Sequence, residues 1–234
     1  MSQYTVFRGG ILGLLGLFFV QHSVAEPAKT RFYGAHLCGY PDFKCVSVKR
    51  GDTWKSMFPD QREREMVKRL NRTNVALYYR TWIVVPVHLD DVQYMDLSPF
   101  PHRVSATGKR HLKVDLSDHA FAAYDQDGGL VHWGPISGGK GWCPDTDSLC
   151  RTALGEHKVY RKQGAGCRSS KYPIETNGGA RMPYCMHYYR GFAIHGSNLP
   201  GYHASHGCVR LFDEDAKWLN QSFLKIGSPV TVTE

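Results

Sequence analysis

Seven cysteines, at positions 38, 45, 143, 150, 167, 185 and 208, constrain this 234-residue chain more than any other feature. An odd count cannot pair completely. In an oxidising compartment six of them close loops and one thiol stays free. Cys38 and Cys45 lie either side of Pro41, and Cys143 and Cys150 bracket the turn formers Pro144-Asp145-Thr146-Asp147-Ser148. Cys167 and Cys185 flank a segment rich in Gly and Pro. Those three neighbouring pairs are the expected bridges, although six cysteines admit other connectivities and spacing alone leaves them open. Cys208 alone sits among histidines and is the expected free thiol.

The N-terminus points to export. Arg8 precedes an apolar run over residues 9–20 that is too short for a stable membrane span, and Ser23-Val24-Ala25 forms a small-residue cleavage site. Residues 1–25 therefore read as a secretory signal peptide. No cysteine sits at the cleavage point, so a lipid anchor is not indicated, and no stable membrane anchor is expected after cleavage. The formal net charge of +8 suits a polyanionic surface such as a cell wall or lipopolysaccharide. Its basic residues are spread out rather than striped, which argues against nucleic acid as a partner.

Taken in order, residues 26–44 lack periodicity and read as an irregular lead-in. Residues 45–87 read as a small α+β module. Val46 and Val48 alternate as a strand, and Gly51-Asp52-Thr53 supplies a turn and an N-cap. Residues 60–72 form an amphipathic helix with Met66, Val67 and Leu70 inward, and residues 81–87 form a second strand. Residues 88–109, with Ser-Pro-Phe-Pro and a Thr-Gly turn, read as a linker. The second domain, 110–234, is mainly β. Strands are expected over 111–116, 120–124 and 130–137, up to Tyr160, over 186–194 as a single strand, and over 229–232. One short helix is expected over 213–219. Many short strands with one helix imply a β-sandwich or open barrel.

The chemistry concentrates in residues 193–211, AIHGSNLPGYHASHGCVRL. A cysteine acts as a nucleophile through its thiolate, which needs a base nearby and N–H donors for the oxyanion that forms. His195 ends a short apolar strand that delivers its side chain to a site, and Gly196 lets the backbone approach closely. Ser205-His206-Gly207-Cys208 is a tight turn whose amides can face a developing negative charge. His206 is the alternative base. A rival set, His195, His203, His206 and Cys208, has the donor types that zinc prefers. The turn is better explained by acyl transfer, so neither metal nor cofactor is expected.

His195-Gly196, Gly201 and Ser205-His206-Gly207-Cys208-Val209-Arg210-Leu211 together resemble the signature of YkuD-type L,D-transpeptidases. Arg151-Thr152-Ala153-Leu154-Gly155 resembles that family's upstream turn, with Ala153 where proline is usual. Residues 45–87 resemble a LysM module through Val48, Gly51-Asp52-Thr53, Leu70-Asn71 and Ile83-Val84-Val85-Pro86. The cysteine-rich insert is similar to the enhanced-entry branch. This resemblance implies Cys208 as nucleophile, His195 as base and the Gly196 carbonyl as its orienter. It further implies an oxyanion hole from the amides of His206, Gly207 and Cys208. Arg210 would bind a substrate carboxylate, with Ser205 supporting the turn; separately, Tyr184, Trp142 and Tyr202 are aromatics near loops that are candidates to line the groove. The implied substrate is a peptidoglycan tetrapeptide stem, cleaved after meso-diaminopimelate and rejoined to a stem amine as a 3→3 crosslink, or to a wall-attached protein. An L,D-carboxypeptidase on the same stems is the enzymatic alternative, and a non-catalytic wall-binding or host-contact protein the other. The implied location is the periplasm or exterior of a Gram-negative bacterium.

Overall fold

A computed structural model describes residues 32–234, so the expected signal peptide lies outside the described residues. After a 3-10 turn at Ala35–Gly39 the elements are β1 (Phe43–Ser47), α1 (Trp54–Met57), α2 (Gln61–Leu70) and β2 (Trp82–Pro86). Next come β3 (His111–Asp115), β4 (Ala120–Tyr124), β5 (Leu130–Pro135), β6 (Gly141–Cys143) and β7 (Ser148–Cys150). The remainder is β8 (Gly155–Lys158), β9 (Arg161–Lys162), β10 (Met186–Tyr189), β11 (Phe192–Gly196), β12 (Val209–Leu211), α3 (Asp213–Trp218) and β13 (Pro229–Thr233). No helix among the described residues is long and apolar enough to cross a membrane.

Local chemistry sets the first module. Thr53 caps α1 through a reciprocal pair with Ser56, and Asp60 caps α2 by accepting from the Glu63 amide at 2.9 Å. Asn71 ends α2, and its side chain bonds the carbonyls of Val67 and Val84 and the Val84 amide. These bonds tie the helix to β2, which pairs antiparallel with β1. Strand parity then divides β2. Ile83 and Val85 pack inward with Trp54, Phe58, Val67 and Leu77, while Val84 joins Met66 and Leu70 in a cluster with Ala120, Ala122, Tyr124 and Trp133.

The second domain is a two-sheet sandwich. One sheet has the order β5-β4-β3-β13-β8, with β13 parallel to β3; the other runs β12-β11-β10-β9, with β11 and β12 parallel. Between them lie Leu112, Val114, Phe121, Val230 and Val232 from the first sheet and Met186, Ile194, Val209 and Leu211 from the second. Ala216, Leu219 and Phe223 close the layer. Every residue of β4 is buried because Phe121 and Ala123 face this core and Ala120, Ala122 and Tyr124 face the first module. A strand covered on both sides has no polar alternation to show.

Two expectations need correction. Residues 186–194 are a hairpin rather than one strand, turning at Arg190, whose φ is 45°, and Gly191. The Arg190 carbonyl accepts the Tyr160 hydroxyl, which helps hold a backbone conformation unusual for arginine. Residues 88–109 connect the two domains and pack against them on the way. Leu97 and Phe100 are buried, the Tyr94 ring stacks on Trp133, and Trp133 Nε1 donates to the Tyr94 carbonyl at 3.0 Å. The lead-in also ends earlier than expected, since β1 begins at Phe43.

The first module braces the second domain directly. Thr73 Oγ1 donates to the Leu199 carbonyl at 2.9 Å, and Asn74 accepts the Leu199 amide at 2.8 Å. Arg69, on α2, meets Asp215, on α3, with N···O distances of 2.6 and 3.0 Å, and His132 Nε2 donates to the same carboxylate at 2.9 Å. Burial alone would raise the Asp215 pKa, but His132 and Arg69 outweigh it and hold the carboxyl below its usual range. Such a group stabilises the fold above the ordinary Asp pKa, and that contribution is lost as pH falls through the depressed folded value. Removing one partner strands the other as an unpaired buried charge. Arg69→Ala is therefore expected to lose about 3–5 kcal/mol of stability at pH 7 in urea unfolding, with the deficit shrinking in acid as Asp215 is protonated. A loss below about 1 kcal/mol, the range of exposed pairs, would contradict this account.

Candidate functional site

Strand register builds the site. Ala193 stands opposite His187 of β10, and His195 stands opposite Arg210 of β12. Parity puts His187, Ala193, His195 and Arg210 on one face of the sheet, with Cys208 following on the residue before β12. Met186, Ile194, Val209 and Leu211 fill the opposite face and the core. The chemical face opens on a cavity of about 610 Å³ lined by His187, His195, Ser205, His206, Cys208 and Arg210, with residues of the 161–182 segment as its far wall. That volume is in the range of small-ligand sites.

His195 is buried, and its Nδ1–H donates to the Gly196 carbonyl at 2.9 Å. A carbonyl can only accept, so the proton resides on Nδ1 and Nε2 carries the free lone pair. Burial lowers the His195 pKa to about 4, against the opposing effect of the Gly196 bond. Gly196 is required where it stands, because a Cβ there would lie 2.4 Å from Asp213 Oδ1. Its amide donates to the Pro183 carbonyl at 2.9 Å, which ties Met182-Pro183-Tyr184 to the strand end.

Cys208 is the free cysteine; Cys38–Cys45, Cys143–Cys150 and Cys167–Cys185 are disulfides. The Cys208 side chain packs against Cys167, Cys185, Met182 and Ala193. Burial raises its pKa despite a bond from the Ala193 backbone and the nearby Arg210 charge. The sequence suggests a thiolate beside an imidazolium. The structure instead favours a neutral thiol and a neutral imidazole at rest, because burial penalises charge on both.

Ser205 governs the turn before Cys208. Its Oγ donates to the Cys208 carbonyl at 2.5 Å and accepts the Gly207 amide at 2.9 Å. Gly207 adopts φ 121°, and a Cβ would meet Phe192 at 2.4 Å. The Gly207 amide is therefore not free for an oxyanion, contrary to expectation, while those of His206 and Cys208 donate to no protein acceptor among the described residues. His206 is engaged elsewhere. Its Nε2 bonds Asp145 at 2.6 Å, at the tip of the β6–β7 hairpin, and its ring stacks on Tyr172 with centroids 4.2 Å apart. It thereby joins two loops across the cavity mouth and is not placed as the base.

Other expected residues go to different places. Tyr184 does not line the cavity and packs against the sandwich core, with its carbonyl held by Asn220. His203 accepts the Gly138 amide on Nδ1 and donates from Nε2 to the Leu116 carbonyl, so both nitrogens are used. The zinc set of His195, His203, His206 and Cys208 is thus not assembled. Cys143, Asp145 and His206 do converge, but the Cys143 sulfur is in a disulfide and offers no thiolate. Thr152, from the 151–155 turn, accepts the Gly139 amide behind the cysteine loop at 2.8 Å. Arg210 lines the cavity with no carboxylate partner among the described residues. Burial lowers its pKa, leaving a cation in want of a counter-charge.

Sequence reasoning missed His187 and Arg161. Arg161 donates to His187 Nε2 at 2.8 Å; burial, with the Arg161 charge beside it, lowers the His187 pKa and favours the neutral imidazole on the cavity wall. The Arg190-Gly191 turn was the available signal. Once it breaks the 186–194 run, parity brings His187 to the face of His195.

Residues 109–232 match a family model described as the YkuD L,D-transpeptidase catalytic domain. Among solved structures, the chain is similar to an L,D-transpeptidase from Xylanimonas cellulosilytica at 25% identity, covering 62% of this chain and 67% of that one, with a TM-score of 0.49. It is similar to L,D-transpeptidase 3 from Mycobacterium tuberculosis at 25% identity, covering 53% and 61%, with a TM-score of 0.44. An L,D-transpeptidase from Mycobacterium smegmatis matches at 20% identity over 54% and 59%, with a TM-score of 0.45. The match thus spans about three-fifths to two-thirds of these relatives' lengths. No protein of the curated set matches.

Two outcomes follow from the site's electrostatics and bonding. A thiol pushed up by burial ionises only above the ordinary thiol range, so alkylation of Cys208 by iodoacetamide should still be rising at pH 9; a plateau below pH 7 would refute the neutral resting pair. Ser205→Ala leaves the Gly207 amide unpaired and should cost about 1–3 kcal/mol in urea unfolding, whereas an unchanged midpoint would mean that the hydroxyl does not hold the turn.

Proposed function

Since the chain belongs to the YkuD family of L,D-transpeptidase catalytic domains, we propose that it is an acyltransferase of the bacterial cell wall that works through a thioester on Cys208. The observation that carries this reading is the shared sheet face: an imidazole fixed with its Nε2 lone pair free, the free thiol and an unpaired arginine, all on one cavity. His195 Nε2 takes the Cys208 proton as Sγ attacks the carbonyl of the third residue of a tetrapeptide stem, meso-diaminopimelate. The thiolate forms as it is consumed, so the buried site never stores the charge pair. The tetrahedral oxyanion is received by the amides of His206 and Cys208, donors that are in place before the charge develops. The imidazolium returns the proton to the departing D-Ala amine. An amine from a neighbouring stem then attacks the thioester, with His195 again as base, giving a 3→3 crosslink and a free thiol. Arg210 holds a carboxylate of the stem beside the reacting carbonyl.

A protein lysine is an alternative acceptor, giving a wall-attached protein, and water would make the enzyme a carboxypeptidase. Residues 45–87 are proposed as a LysM-like glycan-binding module on the strength of their β-α-α-β order. Three disulfides support a periplasmic or secreted location; the Gram-negative source and the enhanced-entry affinity are proposed from sequence resemblance.

Incubation with a disaccharide-tetrapeptide should yield a thioester adduct on Cys208, released D-Ala and a crosslinked dimer by mass spectrometry. Cys208→Ala should give none of these. His195→Ala should slow acylation by about 10²–10⁴-fold, the usual contribution of a positioned base. Tripeptide without dimer would identify a carboxypeptidase, and no product from the wild type would overturn the enzymatic reading.

A further inference from the structure

Five cations line the cavity at Cys208: Arg161, Arg168, Lys171, Arg181 and Arg210. No aspartate or glutamate lines it, and none of the five forms an ion pair among the described residues. Arg69, Lys68, Lys113 and Lys140, outside this wall, each find a carboxylate. Burial, and then the Arg161 charge, lower the His187 pKa, and burial lowers that of His195, so neither imidazole adds to the positive charge. Positive charge also arrives from separate elements. Arg161 is on β9 and Arg210 on β12, while Arg168, Lys171 and Arg181 come from the segment closed by Cys167–Cys185. Charges of one sign on a concave wall reinforce one another's field and repel in the empty site. A ligand with several negative charges relieves that repulsion, and a neutral one does not.

We infer that this wall selects stems by charge: it takes peptides whose side carboxylates are free and disfavours the same peptides carrying carboxamides. This rests on the stem-peptide reading above. A tetrapeptide stem offers a carboxylate on its γ-linked glutamate and another on the distal centre of diaminopimelate. Converting each to a carboxamide preserves shape and removes charge, so the comparison isolates the wall's contribution. Arg210 lies on the sheet floor, and Lys171 and Arg181 lie on the opposing loop wall. Recognition therefore extends to more than one carboxylate, and specificity is the difference between two affinities for nearly identical shapes.

The test measures thioester formation on the full mature chain, with matched disaccharide-tetrapeptides in the free and the doubly amidated form. At low salt the wild type should prefer the free form by about tenfold or more in kcat/KM, and the preference should fall below about threefold at 0.5 M salt, where screening is strong. The double variant Lys171→Gln/Arg181→Gln, whose side chains make no ion pair, should lose most of the preference. Its melting temperature and the iodoacetamide alkylation rate of Cys208 report whether the fold is intact; the wild-type salt series reads the same charge effect without a substitution. Equal rates on the two stems would overturn this inference and leave the acyl-transfer reading standing. A preference that survives both high salt and the double variant would also overturn it. No thioester from either stem, with normal alkylation of Cys208, would overturn the stem-peptide reading itself.

Discussion

β12 lies parallel to β11, with Ile194 opposite Val209 and His195 opposite Arg210. That register places the chemical side chains on one face and the core side chains on the other. A slip of one residue would exchange them, putting His195 and Arg210 into the sandwich and Ile194 and Val209 into the cavity. The core thus enforces the site: Ile194, Val209 and Leu211 are fully buried, and their burial is what fixes where the imidazole and thiol face. Parallel pairing also needs a long crossover between the strands. In this chain the crossover is the 197–208 loop, which carries the Ser205 turn and is anchored from outside by Thr73 and Asn74.

Burial acts on the site in a second way. It raises the Cys208 pKa and lowers that of His195, so the neutral thiol and the neutral imidazole are the favoured forms at rest. A protonated thiol is also less prone to oxidation than a thiolate, which matters for the half-buried Cys208 in a chain whose other six cysteines are all oxidised. Arg210 is half-buried and has no carboxylate partner among the described residues, while its cationic neighbours Arg161, Arg168, Lys171 and Arg181 are exposed, so their field on the cavity is open to screening by salt.

The first module is part of the same machine. Its α2 contributes Arg69 to the Asp215 site at the start of α3, and α3 follows directly from the cysteine strand. Asp213, in the same helix, presses against Gly196, whose carbonyl orients His195. Displacement of the module would therefore reach the imidazole through two contacts.

What the sequence determined by itself is local. Asp60 and the 3.6-residue period of Met66, Val67 and Leu70 define α2, and Thr53 defines the start of α1, whereas the cysteine spacing suggested the three bridges without fixing them. The histidine–cysteine motif was legible too, because its residues lie close along the chain. Tertiary structure alone decided the rest. It folded 186–194 into a hairpin, set β13 in the middle of a sheet, sent Tyr184 to the core and gave the Gly207 amide to Ser205. It also gathered five cations from distant segments around one thiol and joined Arg69 to Asp215. Periodicity and capping act through neighbours a few residues apart, so they are written in the sequence. Convergence of remote residues depends on which strands pair and in what register, and that is settled only when the whole core is buried.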